Sequence, residues 1–240
     1  MRKPLGLWLG ALIAVGVAAA LIVASTRASH PHRASDRPVV TPSPGTTTTP
    51  AVTSSEPVYS AATAVPTSAP SNISWSLFNG IALPSSATAG PTRVDGAVHA
   101  GFAHSPEGAL VADAQIAVRY IATPGTGWRD VLAKQIVPGP GVNAYVKARN
   151  EAGLGDVVHV DTAGVGQLAG FRFVTYTPSV AVVQIAVRFP SNGQYQVATN
   201  TVEWLGGDWK LQLLPDGSSA STVQKVSDLA GFVPWSGVSS

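Results

Sequence analysis

The side chains that could carry acid–base chemistry are few and scattered along the chain. His159 and Asp161 alternate in the apolar run Val157–Asp161, so on a strand both side chains would face the same way. An imidazole beside a carboxylate is what general-base catalysis needs, although the same pair also suits the solvent-facing edge of a strand. Asp113 lies in an apolar helical stretch, from which it could point into a pocket mouth or pair with Arg119 on the helix flank. Both interpretations stay open at this stage.

Metal, thiol and phosphate chemistry find no support in the pattern of residues. His99 and His104 flank the same helical stretch, but no second or third ligand stands at a spacing typical of a metal site. The 240 residues contain no cysteine, which excludes disulfides and thiolate nucleophiles. A glycine-rich phosphate loop, a Gly-x-Ser-x-Gly turn and a His-Glu-x-x-His motif are absent from the sequence. The sequence therefore predicts no catalytic residue, no cofactor and no metal.

Three helices are predicted before any long strand. The first, over residues 108–123, follows the segment Ser-Pro-Glu at 105–107, which supplies a hydroxyl cap, a proline in the first turn and an acid at the positive end of the helix dipole. Pro-Gly at 124–125 ends it, because the residue before a proline is disfavoured in a helix. Shorter helices are predicted over residues 127–136 and 142–150.

An extended lead-in over residues 74–84, broken at Gly80 and Pro84, is predicted before the helices. After Gly155 the apolar period changes from 3.6 to 2. Strands are predicted over Leu168–Thr177, Val180–Phe189, Tyr195–Trp204 and Asp208–Leu214. Short turn sequences connect them, which indicates antiparallel neighbours. Helices followed by such a meander predict an α+β domain, cone-like, with two or three helices on one face of a curved antiparallel sheet.

The tryptophans indicate where the domain packs. Trp204 and Trp209 flank a Gly-Gly turn and are expected to pair across two antiparallel strands. Trp75, Trp128 and Trp235 are expected in the core or under a lid, since large aromatic side chains dominate core energetics. The alternative is that one or two of them form a patch on which a partner docks.

The first 27 residues have the pattern of a membrane anchor. Leu5–Ala24 is a run of twenty apolar residues, and at about 1.5 Å per residue such a helix spans about 30 Å, the thickness of a bilayer core. A cleaved signal peptide is the alternative, with small residues near Ser25 as its cleavage site, but its apolar region is usually shorter. A buried core helix is the third interpretation of this segment. Positive residues flank both ends of the run, so charge alone does not orient it.

Residues 28–72 contain eight prolines and few large aliphatic side chains, so they cannot bury enough apolar surface to fold. Pro/Thr/Ser-rich stretches commonly form stalks outside the cytoplasm. The sequence therefore predicts a cytoplasmic N terminus and transmembrane signal anchor over residues 1–27, a disordered linker over 28–72 and an extracytoplasmic domain over 73–240. The domain carries ten Lys or Arg and eleven Asp or Glu, a net charge of −1, which does not favour direct nucleic-acid binding.

Several segments of the domain resemble known families. The helices followed by a meander that closes on Val202–Leu211, with its Trp-x-x-Gly-Asp-Trp-Lys-Leu hairpin, resemble the nuclear-transport-factor-2-like cone fold. Residues 83–91, 101–109 and 231–235 are similar to a family found on actinobacterial plasmids and conjugative elements. The order of anchor, stalk and domain is similar to that of the bitopic scaffold proteins of type IV secretion and conjugation machines. That resemblance implies a membrane-anchored assembly role and brings no catalytic motif with it.

Two functions of different classes follow. The first is a non-enzymatic scaffold or assembly protein, held in the cell membrane by residues 5–24, which associates with itself or with other envelope proteins of a transfer machine. The second is a cell-surface domain of the same fold that binds a small ligand or acts as an isomerase. A deep pocket containing His159, Asp161 or Asp113 would favour the second function over the first.

Overall fold

The computed structural model describes residues 64–154 and 165–238. These residues form ten strands: β1 Ile73–Phe78, β2 Ile81–Ser86, β3 Arg93–Asp95, β4 Val98–Ala100, β5 Gln167–Tyr176, β6 Val180–Arg188, β7 Tyr195–Trp204, β8 Trp209–Leu211, β9 Ala220–Val226 and β10 Val233–Pro234. They also form three helices: α1 Pro106–Ala122, α2 Gly127–Gln135 and α3 Pro140–Glu151. The predicted anchor, most of the predicted linker, and the pair His159 and Asp161 lie outside the described residues. Within the described ranges, no helix has the length and apolar content that crossing a membrane requires.

The domain is α+β, as predicted, and its largest sheet is antiparallel. The strands lie in the order β10-β5-β6-β7-β8, and β9 also pairs with β7. Strands β5, β6 and β7 agree with three of the predicted strands to within one residue at each end. The fourth is shorter than predicted: β8 ends at Leu211, whose carbonyl oxygen accepts the Val137 amide at 2.9 Å.

Two small hairpins precede the helices, where the sequence predicted an extended lead-in broken at Gly80 and Pro84. The hairpin β1–β2 turns at Asn79 and Gly80, which both have positive φ, 49° and 79°. A two-residue turn with positive φ at both positions matches the right-handed twist of its strands, and Asn-Gly is its preferred sequence. The second hairpin, β3–β4, turns through Gly96 at φ 57°.

Helix α1 is the centre of the core. Every residue of α1 except Glu107 is buried, as expected for a helix that is apolar on all sides. It contacts β2, α2 and the three strands β6, β7 and β8. The predicted start is confirmed, because the Ser105 Oγ accepts the amide of Gly108 at 3.1 Å and Pro106 occupies the first turn. Its end is also confirmed, because Thr123 before Pro124 is extended.

The other two helices lie close to their predicted positions. Helix α2 ends one residue earlier than predicted, at Gln135. Helix α3 begins two residues earlier, at Pro140, because proline fits the first helical position, where its missing amide costs nothing. The Tyr145 hydroxyl of α3 donates to the Tyr120 carbonyl oxygen of α1 at 3.1 Å. This hydrogen bond ties the third helix to the core helix.

Candidate functional site

Asp113 is enclosed in the core and does not pair with Arg119. Its side chain has no exposed surface, and its Oδ1 accepts the amide Nδ2 of Asn200 on β7 at 2.8 Å. Arg119 instead donates its Nε to the Oε1 of Gln115 at 2.7 Å and lies over the ring of Phe78 at 4.4 Å. The interpretation of Asp113 as a helix-flank residue is therefore wrong. The sequence could not reveal this, because Asn200 lies 87 residues further along the chain.

The Asp113 carboxyl group holds its proton up to neutral pH. Burial raises its pKa to about 7, and the hydrogen bond from Asn200 opposes this shift only in part. Among the described residues, Asp113 Oδ2 and Asn200 Oδ1 both lack a hydrogen-bond partner. When Asp113 is protonated, its hydroxyl becomes a hydrogen-bond donor, and the Asn200 amide oxygen is an acceptor that has no donor. The protonated acid and the amide are therefore complementary. The pair explains why a carboxyl group is tolerated in an apolar helix.

The two histidines near α1 have separate structural roles. His99 is half-buried, and its pKa falls to about 4 because burial, and secondarily the charge of Arg119, disfavour the imidazolium. His104 stacks on Trp204 with ring centroids 4.0 Å apart and planes 7° from parallel, and its Nε2 donates to the Pro178 carbonyl oxygen. No group of three His, Asp or Glu side chains in the described ranges could hold a metal ion.

The closing hairpin β7–β8 is bonded to the entrance of α1. Trp204 and Trp209 pair across the strands as predicted, with ring centroids 5.5 Å apart. The buried Trp209 donates its indole Nε1 to the Ala103 carbonyl oxygen at 2.9 Å. Asp208 accepts the amides of Gly101 and Phe102 at 2.6 and 3.0 Å. Sequence analysis gave Asp208 no role, because its partners lie more than 100 residues earlier in the chain.

The remaining tryptophans belong to the core, as predicted. Trp128 has no exposed surface and Trp235 is 3% exposed, whereas Trp75 is partly buried and packs against the core. The rings of Trp75 and Trp235 lie 5.2 Å apart, and Phe171 contacts Trp235 edge-on at 5.6 Å. Neither Trp128 nor Trp235 is exposed enough to form a patch on which a partner could dock, which was the alternative interpretation of these tryptophans.

The most exposed part of the main sheet is strand β9. Five consecutive residues, Ser221 to Lys225, are exposed, and Val223 is exposed by 39%. Among the described strands, β9 pairs only with β7, so the other edge of its backbone is open. An unpaired edge is a template on which another strand can pair. Sequence analysis did not predict β9, because only two of its seven residues, both valines, are large and apolar.

A polar row crosses the sheet surface next to β9. The guanidinium of Arg172 donates to the Oε1 of Gln184 through Nε at 2.9 Å and through Nη2 at 2.6 Å. Gln184 donates to the Thr199 hydroxyl at 3.2 Å, and that hydroxyl bonds the Thr222 hydroxyl of β9 at 2.8 Å. The four residues are cross-strand neighbours in register. The row therefore connects the exposed strand β9 to the middle of the sheet.

Three open clefts are lined wholly by described residues. One, of 340 Å³, lies beside β3 and β8 and is lined by charged groups that include Arg93 and Asp208. A second, of 420 Å³, lies beside the start of β7. The third, here termed the Trp235 cleft, has a volume of 640 Å³ and is lined by residues 167–169, Arg188, Pro190, Tyr195, Leu229, Pro234–Ser236 and Val238. Asp113, His99 and His104 line none of the three.

The chain matches a family whose description names no activity. The model of a domain of unknown function, DUF8175, matches residues 11–234. The chain belongs to this family. The DUF8175 match begins inside the segment predicted as the anchor and continues through the predicted linker, so it covers more than the described domain. No curated protein and no solved structure matches the chain.

Proposed function

We propose that this DUF8175 protein is a single-pass membrane-anchored scaffold, which assembles outside the cytoplasm as part of a conjugative or type IV secretion-like transfer machine. The observation that carries the proposal is the open edge of β9, with its five exposed residues. A strand of this kind supplies backbone donors and acceptors to a partner strand, which gives affinity without a deep pocket. The proposed fold of the domain is the nuclear-transport-factor-2-like cone.

The partner strand in this proposal is β9 of a second copy of the chain. Antiparallel pairing about a two-fold axis at Val223 would set Ser221 opposite Lys225 and Thr222 opposite Gln224. In this register Lys225, the only charged residue of β9, does not lie opposite Lys225 of the second copy. Like charges directly opposite each other would destabilise the strand pair. A two-fold interface of this kind uses the same surface on both subunits.

Anchoring supports such a weak contact. In the proposal, residues 5–24 lie in the membrane and residues 28–72 tether the domain outside. Tethering raises the effective concentration of neighbouring copies, so a contact too weak to form in dilute solution becomes populated. The proposed role needs no acid or base, which agrees with the enclosure of Asp113.

Site-specific cross-linking in membranes tests this proposal. A photo-cross-linking residue in place of Gln224 should yield a homodimer, and Val223→Lys should abolish it, because charged side chains protect strand edges from pairing. Val94→Lys is the matched control, since Val94 is 64% exposed on the separate hairpin β3–β4. At matched protein levels, Val223→Lys should lower transfer of the mobile element and Val94→Lys should not.

Three results would contradict or redirect the proposal. An undiminished homodimer in the Val223→Lys variant would refute pairing through β9. A cross-link to a different envelope protein would show that this protein, and not a second copy of the chain, is the partner of β9. Normal transfer by a Val223→Lys variant that no longer cross-links would show that transfer does not need pairing through β9.

A further inference from the structure

The Trp235 cleft is built on one cross-strand row. Arg188 at the end of β6 is the register partner of Gln167 on β5 and of Tyr195 on β7. Residues directly opposite each other in antiparallel strands point to the same face, so these three side chains share one side of the sheet. All three line the cleft, and its volume of 640 Å³ lies within the range typical of small-molecule sites.

The opposite wall is held in place by the C-terminal segment. The Trp235 amide donates to the Ala169 carbonyl oxygen at 3.0 Å, and its ring packs between Trp75 and Phe171. A side chain at Gly237 would approach the ring of Trp75 to 2.4 Å, so only glycine lets the segment lie this close. The wall is therefore preformed, and binding would not have to order it.

Two of the polar side chains in the cleft are already hydrogen-bonded within the domain. Gln167 donates its Nε2 to the Gly80 carbonyl oxygen at 2.7 Å and accepts the Ala82 amide on its Oε1 at 3.1 Å. The Ser236 hydroxyl donates to the Val238 carbonyl oxygen and accepts the Val238 amide. These bonds fix the positions of both side chains in the cleft walls.

Arg188 is the one charged residue among those that line the cleft. Among the described residues, Arg188 has no carboxylate within ion-pair distance, and the buried indole Nε1 of Trp235 has no acceptor. No acidic residue lines the cleft. The remaining lining is largely apolar, with the side chains of Leu168, Leu229 and Val238 among it. The walls therefore match a molecule that is apolar along its body and carries negative charge at one end.

We propose that the Trp235 cleft binds a small carboxylic acid with an aliphatic body, whose carboxylate pairs with Arg188. A planar guanidinium matches a carboxylate through two parallel hydrogen bonds, which gives both strength and orientation. This site goes beyond the scaffold role, since it is independent of pairing through β9.

Calorimetric titration of the full-length chain in lipid nanodiscs with octanoate tests this assignment, with empty nanodiscs subtracted. Octan-1-ol and octylamine have the same chain without the negative charge. We expect saturable binding of one octanoate and binding of the alcohol and the amine at least roughly tenfold weaker, because a hydrogen bond to a charged group is stronger than a neutral one.

Three variants refine the test. Arg188→Gln should weaken octanoate binding roughly tenfold to a hundredfold, the effect expected for a lost charge-assisted pair. Trp235→Phe replaces the indole by a smaller ring, which reduces the contact of this wall with the aliphatic body, and should weaken binding roughly two- to tenfold. Arg93→Gln is the matched control, because Arg93 lies in a different cleft, and it should bind as the wild type does. Absence of saturable octanoate binding, unchanged affinity in a folded Arg188→Gln variant, or equally tight octylamine binding would each overturn the proposal.

Discussion

The buried carboxyl group of Asp113 should make the stability of the domain fall as pH rises towards neutrality. The folded state holds this proton with a pKa of about 7, whereas the unfolded chain has the ordinary value of 3.8. Below pH 3.8 both states are protonated and the stabilisation is fully present. It is lost progressively as pH rises to about 7, because over this range the unfolded chain releases the proton that the folded state still holds.

The size of the effect follows from the two pKa values. They differ by roughly three units, and each unit corresponds to about 1.36 kcal/mol, so the change in the free energy of unfolding reaches about 4 kcal/mol. Asp113→Asn removes the titration and keeps the shape. The new amide can accept from Asn200 through its oxygen and donate to Asn200 through its nitrogen. At pH 8 the variant should therefore be more stable than the wild type, and near pH 4 the two should be similar.

Urea unfolding of both proteins between pH 4 and pH 8 measures this difference. The comparison is needed because His99 acts in the opposite direction. Its pKa is lowered to about 4, so its contribution to stability increases as pH rises through that range. Subtracting the two curves cancels His99, which both proteins contain. Asp95→Asn is the control for an exposed carboxyl group. A difference curve that stays flat between pH 4 and pH 8 would refute the reasoning.

Four further predictions concern topology, folding and function. Protease added to intact spheroplasts should remove residues 28–240, and full protection would reverse the proposed orientation. A fragment of residues 73–240 should unfold cooperatively at a temperature that a chelator does not change; an unfolded fragment or a strong chelator shift would contradict this. Trp209→Ala should cost about 3–5 kcal/mol in urea unfolding, the usual cost of removing a buried ring. At matched protein levels, His159→Ala should keep the efficiency of DNA transfer within a few fold of the wild type, whereas deletion of residues 5–24 should abolish transfer. Loss of transfer in a stable, anchored His159→Ala variant would favour an enzymatic function.

Features that depend on near neighbours were predictable from the sequence. The cap at Ser105 and the stop at Pro124 act within one helical turn, and the structure has both where they were predicted. The pairing of Trp204 with Trp209 needed only a tight turn between them. The break at Gly80 was also predicted, but the pairing of the two strands across it was not.

Features that depend on distant partners were not predictable from one sequence. Whether Asp113 meets Arg119 on the same helix or Asn200 on a strand is decided by how α1 lies on the sheet. Strand β9 is a strand because β7 offers it an edge, and its own residues carry little apolar pattern. The position of Arg188 between Gln167 and Tyr195 likewise follows from register, which a strand pattern alone does not give.

The bonds from Asp208 to the amides of Gly101 and Phe102 have a consequence for the order of assembly. The two partners are separated by more than 100 residues, so this clamp closes only after most of the domain has been synthesised. Contacts of such long sequence separation form late and slow folding. A chain truncated before residue 208 would therefore leave Gly101 and Phe102, which precede the central helix α1, without this contact.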